Sequence, residues 1–210
     1  MMMRMTEPQA ITLAMALPLL AAGVLLCWAS MLKRRGGFEG RPGRLHGLGV
    51  YFNSARAREL ALDIAALGSS TVVTVLTIAF ALCWLQAGNT RAAVLLVLGS
   101  TFAAILGTGL KKLTRRLRPG AAAAAFFGSS FPSSHTLMGS TLYGTLAWLL
   151  VGAGHWPQGE ALILGIAALL ALLIGFSRVV LRVHYLSDVV AGWWMAGSLV
   201  ASVALLQTVQ

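Results

Sequence analysis

The chain is dominated by long stretches without charge. Residues 9–32, 70–86 and 136–151 contain no Lys, Arg, Asp or Glu, and 91–110 contains only its opening arginine. About 20 apolar residues span the hydrocarbon core of a bilayer as a helix. Within that core only helices and closed barrels satisfy every backbone polar group. Of the 210 residues, 58% are hydrophobic and 10% charged, against roughly 25% charged in a soluble domain. These features predict an all-α integral membrane protein of one domain, residues 1–210. They predict a six-helix bundle with spans at 9–32, 70–86, 91–110, 136–151, 159–176 and 184–206. The first run is too long for a signal-peptide core and is followed by Lys33-Arg34-Arg35, so it is expected to be a retained helix. Between the first two spans lies the longest polar segment. Its part 36–43 is glycine-rich and irregular. Residues 55–67 pattern as an amphipathic helix on the membrane surface, with Arg56, Arg58, Glu59 and Asp63 outward.

The formal net charge is +10, but the cations flank apolar runs. Anionic headgroups or a phosphorylated lipid substrate explain that placement better than nucleic acid does. Cys27 and Cys83 fall near opposite membrane faces in antiparallel spans, roughly 20 Å apart at 1.5 Å per residue, too far for a disulfide. The histidines and cysteines form no cluster with metal-ligand spacing, so neither metal nor cofactor is expected.

Polar residues concentrate in three short stretches. Ser177-Arg178 is followed by His184 and Asp188. Four residues apart on a helix, the carboxylate can accept the imidazole N–H and raise its basicity. Lys111 to Arg118-Pro119 is a basic helix end. It either snorkels or supplies a lysine point charge and an arginine fork to a phosphate. Pro132-Ser133-Ser134-His135 opens the fourth span, and serines at a helix N-terminus can both cap it and bind an anion. Small residues favour close packing on the faces that carry these groups: Gly99, Ala103 and Gly107 lead to Lys111, Gly139 follows His135, and Gly192 and Ala196 follow Asp188. Phe126, Phe127 and Phe131 are expected to anchor at the membrane interface.

Six alternating spans bring the end of the third, the start of the fourth, the end of the fifth and the start of the sixth to one face. Lys111, Arg118, Ser133, Ser134, His135, Arg178, His184 and Asp188 should therefore converge. Such a cluster suits phosphoryl transfer, which needs an in-line nucleophile, charge stabilisation and a proton for the leaving oxygen. In this reading His184 is the nucleophile, oriented by Asp188, and His135 protonates the leaving oxygen. Lys111, Arg118, Ser133, Ser134 and Arg178 hold the phosphate, without a metal.

The three stretches resemble the motifs of the type 2 phosphatidic acid phosphatase (PAP2) superfamily. Its pattern is a lysine, six residues and Arg-Pro, then Pro-Ser-Gly-His, then Ser-Arg, five residues, His, three residues and Asp. Lys111 through Arg118-Pro119, Pro132 through His135, and Ser177-Arg178 with His184 and Asp188 match every spacing. Ser134 departs from the pattern at the glycine position, where its Cβ narrows the approach to the backbone and its hydroxyl adds a donor. The resemblance covers the chain from Arg91 onward. It implies hydrolysis of a lipid phosphate or pyrophosphate through a phosphohistidine, on phosphatidate, phosphatidylglycerophosphate, undecaprenyl pyrophosphate or lipid A 1-phosphate. Transfer to another lipid is the alternative with the same intermediate. A transporter is disfavoured, because the spans carry few polar groups at mid-membrane. Neither lipid identity nor oligomeric state is written in the sequence. The face bearing the motifs carries 14 Lys and Arg, the other only Arg4 and Arg91, which by the positive-inside rule favours the cytoplasm. The resemblance instead implies an inner-membrane enzyme with its site on the periplasmic face, and that is the expectation adopted.

Overall fold

The computed structural model describes residues 7–34, 54–119, 128–154 and 157–208, all helix, turn or coil without a strand among them. The expectations for 36–43 and for Phe126 and Phe127 lie outside the described residues. Among the described residues seven α-helices follow one another: α1 Glu7–Arg34, α2 Ala55–Ala66, α3 Ser70–Gln86, α4 Thr90–Thr114, α5 Ser134–Gly152, α6 Glu160–Val180 and α7 Leu186–Thr208. Side-chain caps start three of them. Ser54, Ser69 and Asn89 accept from Ala57, Val72 and Ala92 N–H, satisfying donors that a helix start leaves open.

Among the described residues four helices are long and apolar enough to cross a membrane, namely α1, α4, α6 and α7. The pair α2 and α3 passes the same test together and is bent by 42° at the break between the two helices. The fourth expected span is present as helix α5 but is not among them. It holds the centre of the bundle, packed on α3, α4, α6 and α7. Its Thr136, Ser140, Thr141 and Thr145 are buried. A helix surrounded by other helices can carry hydroxyls that a lipid-facing one cannot.

Segment 55–67 does form a helix, with Arg56, Arg58, Glu59 and Asp63 exposed and Ala61 and Ala65 buried. It is less strictly amphipathic than its pattern suggested, because Leu60 and Leu62 are exposed as well. It runs into α3 and packs against α6.

Two apolar clusters hold the bundle. One joins Leu25 of α1, Leu110 of α4, Leu137 of α5 and Met195 of α7 around Phe131. The other joins Val73, Leu96, Leu142 and Val203 at the opposite end. Phe131 is wholly buried and edge-on to Trp28, 6.0 Å between centroids, so it locks α1 to the chain before α5 instead of anchoring at the interface. Both cysteines are free.

The small-residue stripes are contact faces. Gly99, Ala103 and Gly107 are buried. A Cβ on Gly192 would lie 2.9 Å from Thr136 Cβ. A close approach to the site itself is made by Gly68, in the turn between α2 and α3. A Cβ there would sit 2.6 Å from the His135 carbonyl oxygen and 2.7 Å from Ile174 Cγ2. Tyr143 O–H donates to Leu67 C=O at 3.0 Å and secures the same turn. Gly68→Ala should lower the thermal midpoint in detergent, with an overpacking cost of about 1–3 kcal/mol. An unchanged midpoint would contradict this contact.

Candidate active site

The site begins where α4 stops. Arg115 takes the left-handed conformation, φ 48°, and caps the helix. Such a backbone costs a non-glycine residue of order 1 kcal/mol or more, and it redirects the chain so that Arg116 enters the bundle and Arg118 reaches the α6–α7 turn. This segment is tied to the one preceding α5. Arg116 N–H donates to Ser129 Oγ at 2.9 Å and Ser130 N–H to Arg116 C=O at 2.9 Å. Thr114 Oγ1 donates to Phe131 C=O at 2.9 Å.

His184 does not lie on a helix. α7 starts at Leu186, and His184 sits in the turn before it. The helix face inferred from its four-residue spacing to Asp188 is therefore replaced by a turn that Asp188 closes. Asp188 Oδ2 accepts from Tyr185 N–H at 2.9 Å, the reach-back of a third-position acid to a helix cap. The same oxygen is 3.4 Å from His184 Nδ1. That is longer than a well-formed N–H···O bond, and Nδ1 has no better acceptor. With its proton assigned to Nδ1, the lone pair is on Nε2, which faces Arg118 Nη1 at 3.3 Å. Arg118 Nη1 also donates to Val183 C=O at 3.1 Å. Burial holds the His184 imidazole down at about 4, against the pull of Asp188, with Arg118 and Arg178 lowering it further. At neutral pH it is an uncharged base.

Ser133 holds the N-cap position of α5, but its side chain makes no cap bond. Its Oγ accepts from Thr136 O–H at 3.0 Å, and its N–H is taken by Asp188 C=O at 3.0 Å. The Ser133 N–H is thus already engaged, which leaves its hydroxyl as the group that could meet a phosphate. Ser134 and His135 follow as the first residues of α5, both half-buried. The N–H groups of this first turn have no acceptor within the helix.

Lys111, Arg118, Arg178 and His184 all lie close enough to His135 to act on it electrostatically. Arg178, at the end of α6, is half-buried, and its Nε is buried without a hydrogen-bond partner. A guanidinium N–H left in that state is expensive unless an anion completes it. The eight residues singled out in the sequence thus share one end of the bundle.

Arg116 was missed. It is 4% exposed, and its Nη1 lies 2.6 Å from the fully buried Asp188 Oδ1. It donates to Ser187 Oγ at 2.6 Å and stacks over the Tyr185 ring at 4.2 Å. The available signal was indirect: a carboxylate buried among apolar helices requires a cation, and the basic run 111–118 held the candidates. Among the described residues, no group of three His, Cys, Asp or Glu is placed to hold a metal ion.

Comparison with known proteins identifies the family and the fold. Residues 92–209 match the model of the PAP2 superfamily. Phosphatidylglycerophosphatase B of Bacillus subtilis (strain 168) is 36% identical over 93 residues, which are 42% of this chain and 45% of that protein. The chain is therefore matched over less than half of that relative's length. The fold is that of the crystal structure of a transmembrane PAP2-type phosphatidylglycerolphosphate phosphatase from Bacillus subtilis. The TM-score is 0.77 at 24% identity, over 89% of this chain and 93% of that one. With more than half of its length matched by the family model, the chain belongs to the PAP2 superfamily.

Proposed function

We propose that the protein is an integral membrane phosphatase that hydrolyses the phosphate monoester of phosphatidylglycerophosphate. The observation that carries this reading is the buried His184 imidazole, with Nε2 3.3 Å from Arg118 Nη1 and with the buried Nε of Arg178, which has no hydrogen-bond partner, at the same end of the bundle. The choice of lipid rests on the relative named phosphatidylglycerophosphatase B.

His184 Nε2 attacks phosphorus, and the bond from phosphorus to the lipid oxygen breaks. His135, carrying a proton in the presence of the phosphate's negative charge, passes it to that oxygen. A water, deprotonated by His135, then attacks the phosphohistidine and releases inorganic phosphate and free His184. Asp188 orients the imidazole and balances its charge as the phosphorus–nitrogen bond forms. Lys111, Arg118 and Arg178 hold the equatorial oxygens, with Ser134 and the first N–H groups of α5. Ser133 supports that turn through Thr136 and Asp188. Fixed cations aimed at developing charge do what a metal ion does in other phosphoryl-transfer sites.

In the membrane we assign six spans. α5 is sheathed by its neighbours, and α2 extends the bent α2–α3 span into the interface, where Leu60 and Leu62 meet lipid. The motif end faces the periplasm of an inner membrane.

His184→Ala should abolish phosphate release from micellar phosphatidylglycerophosphate, Asp188→Asn should slow it by about a hundredfold or more, and EDTA should leave the wild type active. Wild-type rates in His184→Ala, or EDTA inhibition reversed by a divalent ion, would overturn the mechanism. For sidedness, Lys112→Cys in a background of Cys27→Ser and Cys83→Ser should react with an impermeant thiol reagent in cells whose inner membrane is intact. Labelling only after that membrane is permeabilised would reverse the assignment.

A further inference from the structure

We propose that Arg116 is a positioning residue of this site. By holding one oxygen of Asp188 it fixes the carboxylate that orients His184 and balances that carboxylate's charge, so His184 can remain neutral. The proposal rests on the reading of His184 as nucleophile.

Arg116 joins the three stretches that build the site. Its backbone bonds Ser129 and Ser130 before α5. Its guanidinium bonds Asp188 and Ser187 in the first turn of α7 and stacks over Tyr185. Among the described residues, Asp188 is the negative charge that acts on His184, and Arg118 after α4, Arg178 on α6 and His135 on α5 face it as well; Arg116 and Lys111 act on Asp188, and the Tyr185 ring lies under Arg116. The carboxylate divides its oxygens, with Oδ1 on Arg116 at 2.6 Å and Oδ2 near His184 Nδ1 at 3.4 Å. The shorter contact belongs to the permanent cation. Without it, a buried carboxylate would find its charge partner in a protonated imidazole. That imidazole would have lost the lone pair needed to attack phosphorus.

The test is the pH dependence of kcat on micellar phosphatidylglycerophosphate for the wild type, Arg116→Met and Arg116→Lys. In Arg116→Met, kcat at pH 7 should fall by about tenfold or more with KM nearly unchanged. Its acid limb should move up by about one pH unit or more. Arg116→Lys keeps the charge but not the planar fork. Its acid limb should stay with the wild type while kcat falls.

A folded Arg116→Met with wild-type kcat, or with lowered kcat and an unmoved acid limb, overturns the proposal; the second result makes the pair a structural bolt only. If Arg116→Met is not monodisperse, Arg116→Lys decides, and wild-type kcat in that variant overturns it. An inactive His184→Ala beside an unmoved limb in Arg116→Met refutes the Arg116 role alone. An active His184→Ala refutes the nucleophile and this inference together.

Discussion

The structure turns on one buried carboxylate. Asp188 is inaccessible to solvent, in a bundle whose other side chains are overwhelmingly apolar. An unpaired ion there would cost several kcal/mol. Its oxygens are met by Arg116, by the Tyr185 N–H and by the His184 ring, and its backbone carbonyl accepts from Ser133 N–H. These partners come from three segments separated by more than 50 residues of sequence between the first and the last. Satisfying a single charge therefore pulls the ends of α4, α5, α6 and α7 into one mouth.

Packing supplies what the charge alone cannot. Lipid tails are as apolar as the helices, so close contact and not water exclusion drives helix association within a bilayer. Gly139 meets the backbone of Gly68, and Gly192 meets Thr136. Both contacts lie within two turns of His135, so the bundle is closely fitted at its site end. The fit makes α5 a rigid central post. His135 stands at its tip and His184 in the turn opposite.

Much of this could be read before any coordinates. Alternating spans place Lys111, Arg118, Ser133, Ser134, His135, Arg178, His184 and Asp188 at one end, and the structure brings them together there. The rest depended on partners that spacing does not reveal. Arg116 stood in a run of cations from which the motif spacing singled out only Lys111 and Arg118, and only the fold shows that Arg116 faces Asp188. Phe131 read as interfacial because it lies with Phe126 and Phe127 in a short linker between spans, but Trp28, over 100 residues earlier, packs edge-on against it. The turn at His184 was mistaken for helix because a four-residue spacing also fits a capped turn. The hydroxyl-rich character of α5 was visible as residues, whereas its central position was not.

The proposed chemistry asks for a neutral imidazole surrounded by fixed positive charge, and burial next to a shared carboxylate provides one. That claim is tested most directly by trapping the enzyme on phosphatidylglycerophosphate labelled in its terminal phosphate, quenched and then digested. The account predicts an acid-labile, base-stable phosphoryl group on the peptide containing His184. Label on another residue, or turnover with no covalent phosphoenzyme under conditions that slow its hydrolysis, would contradict it.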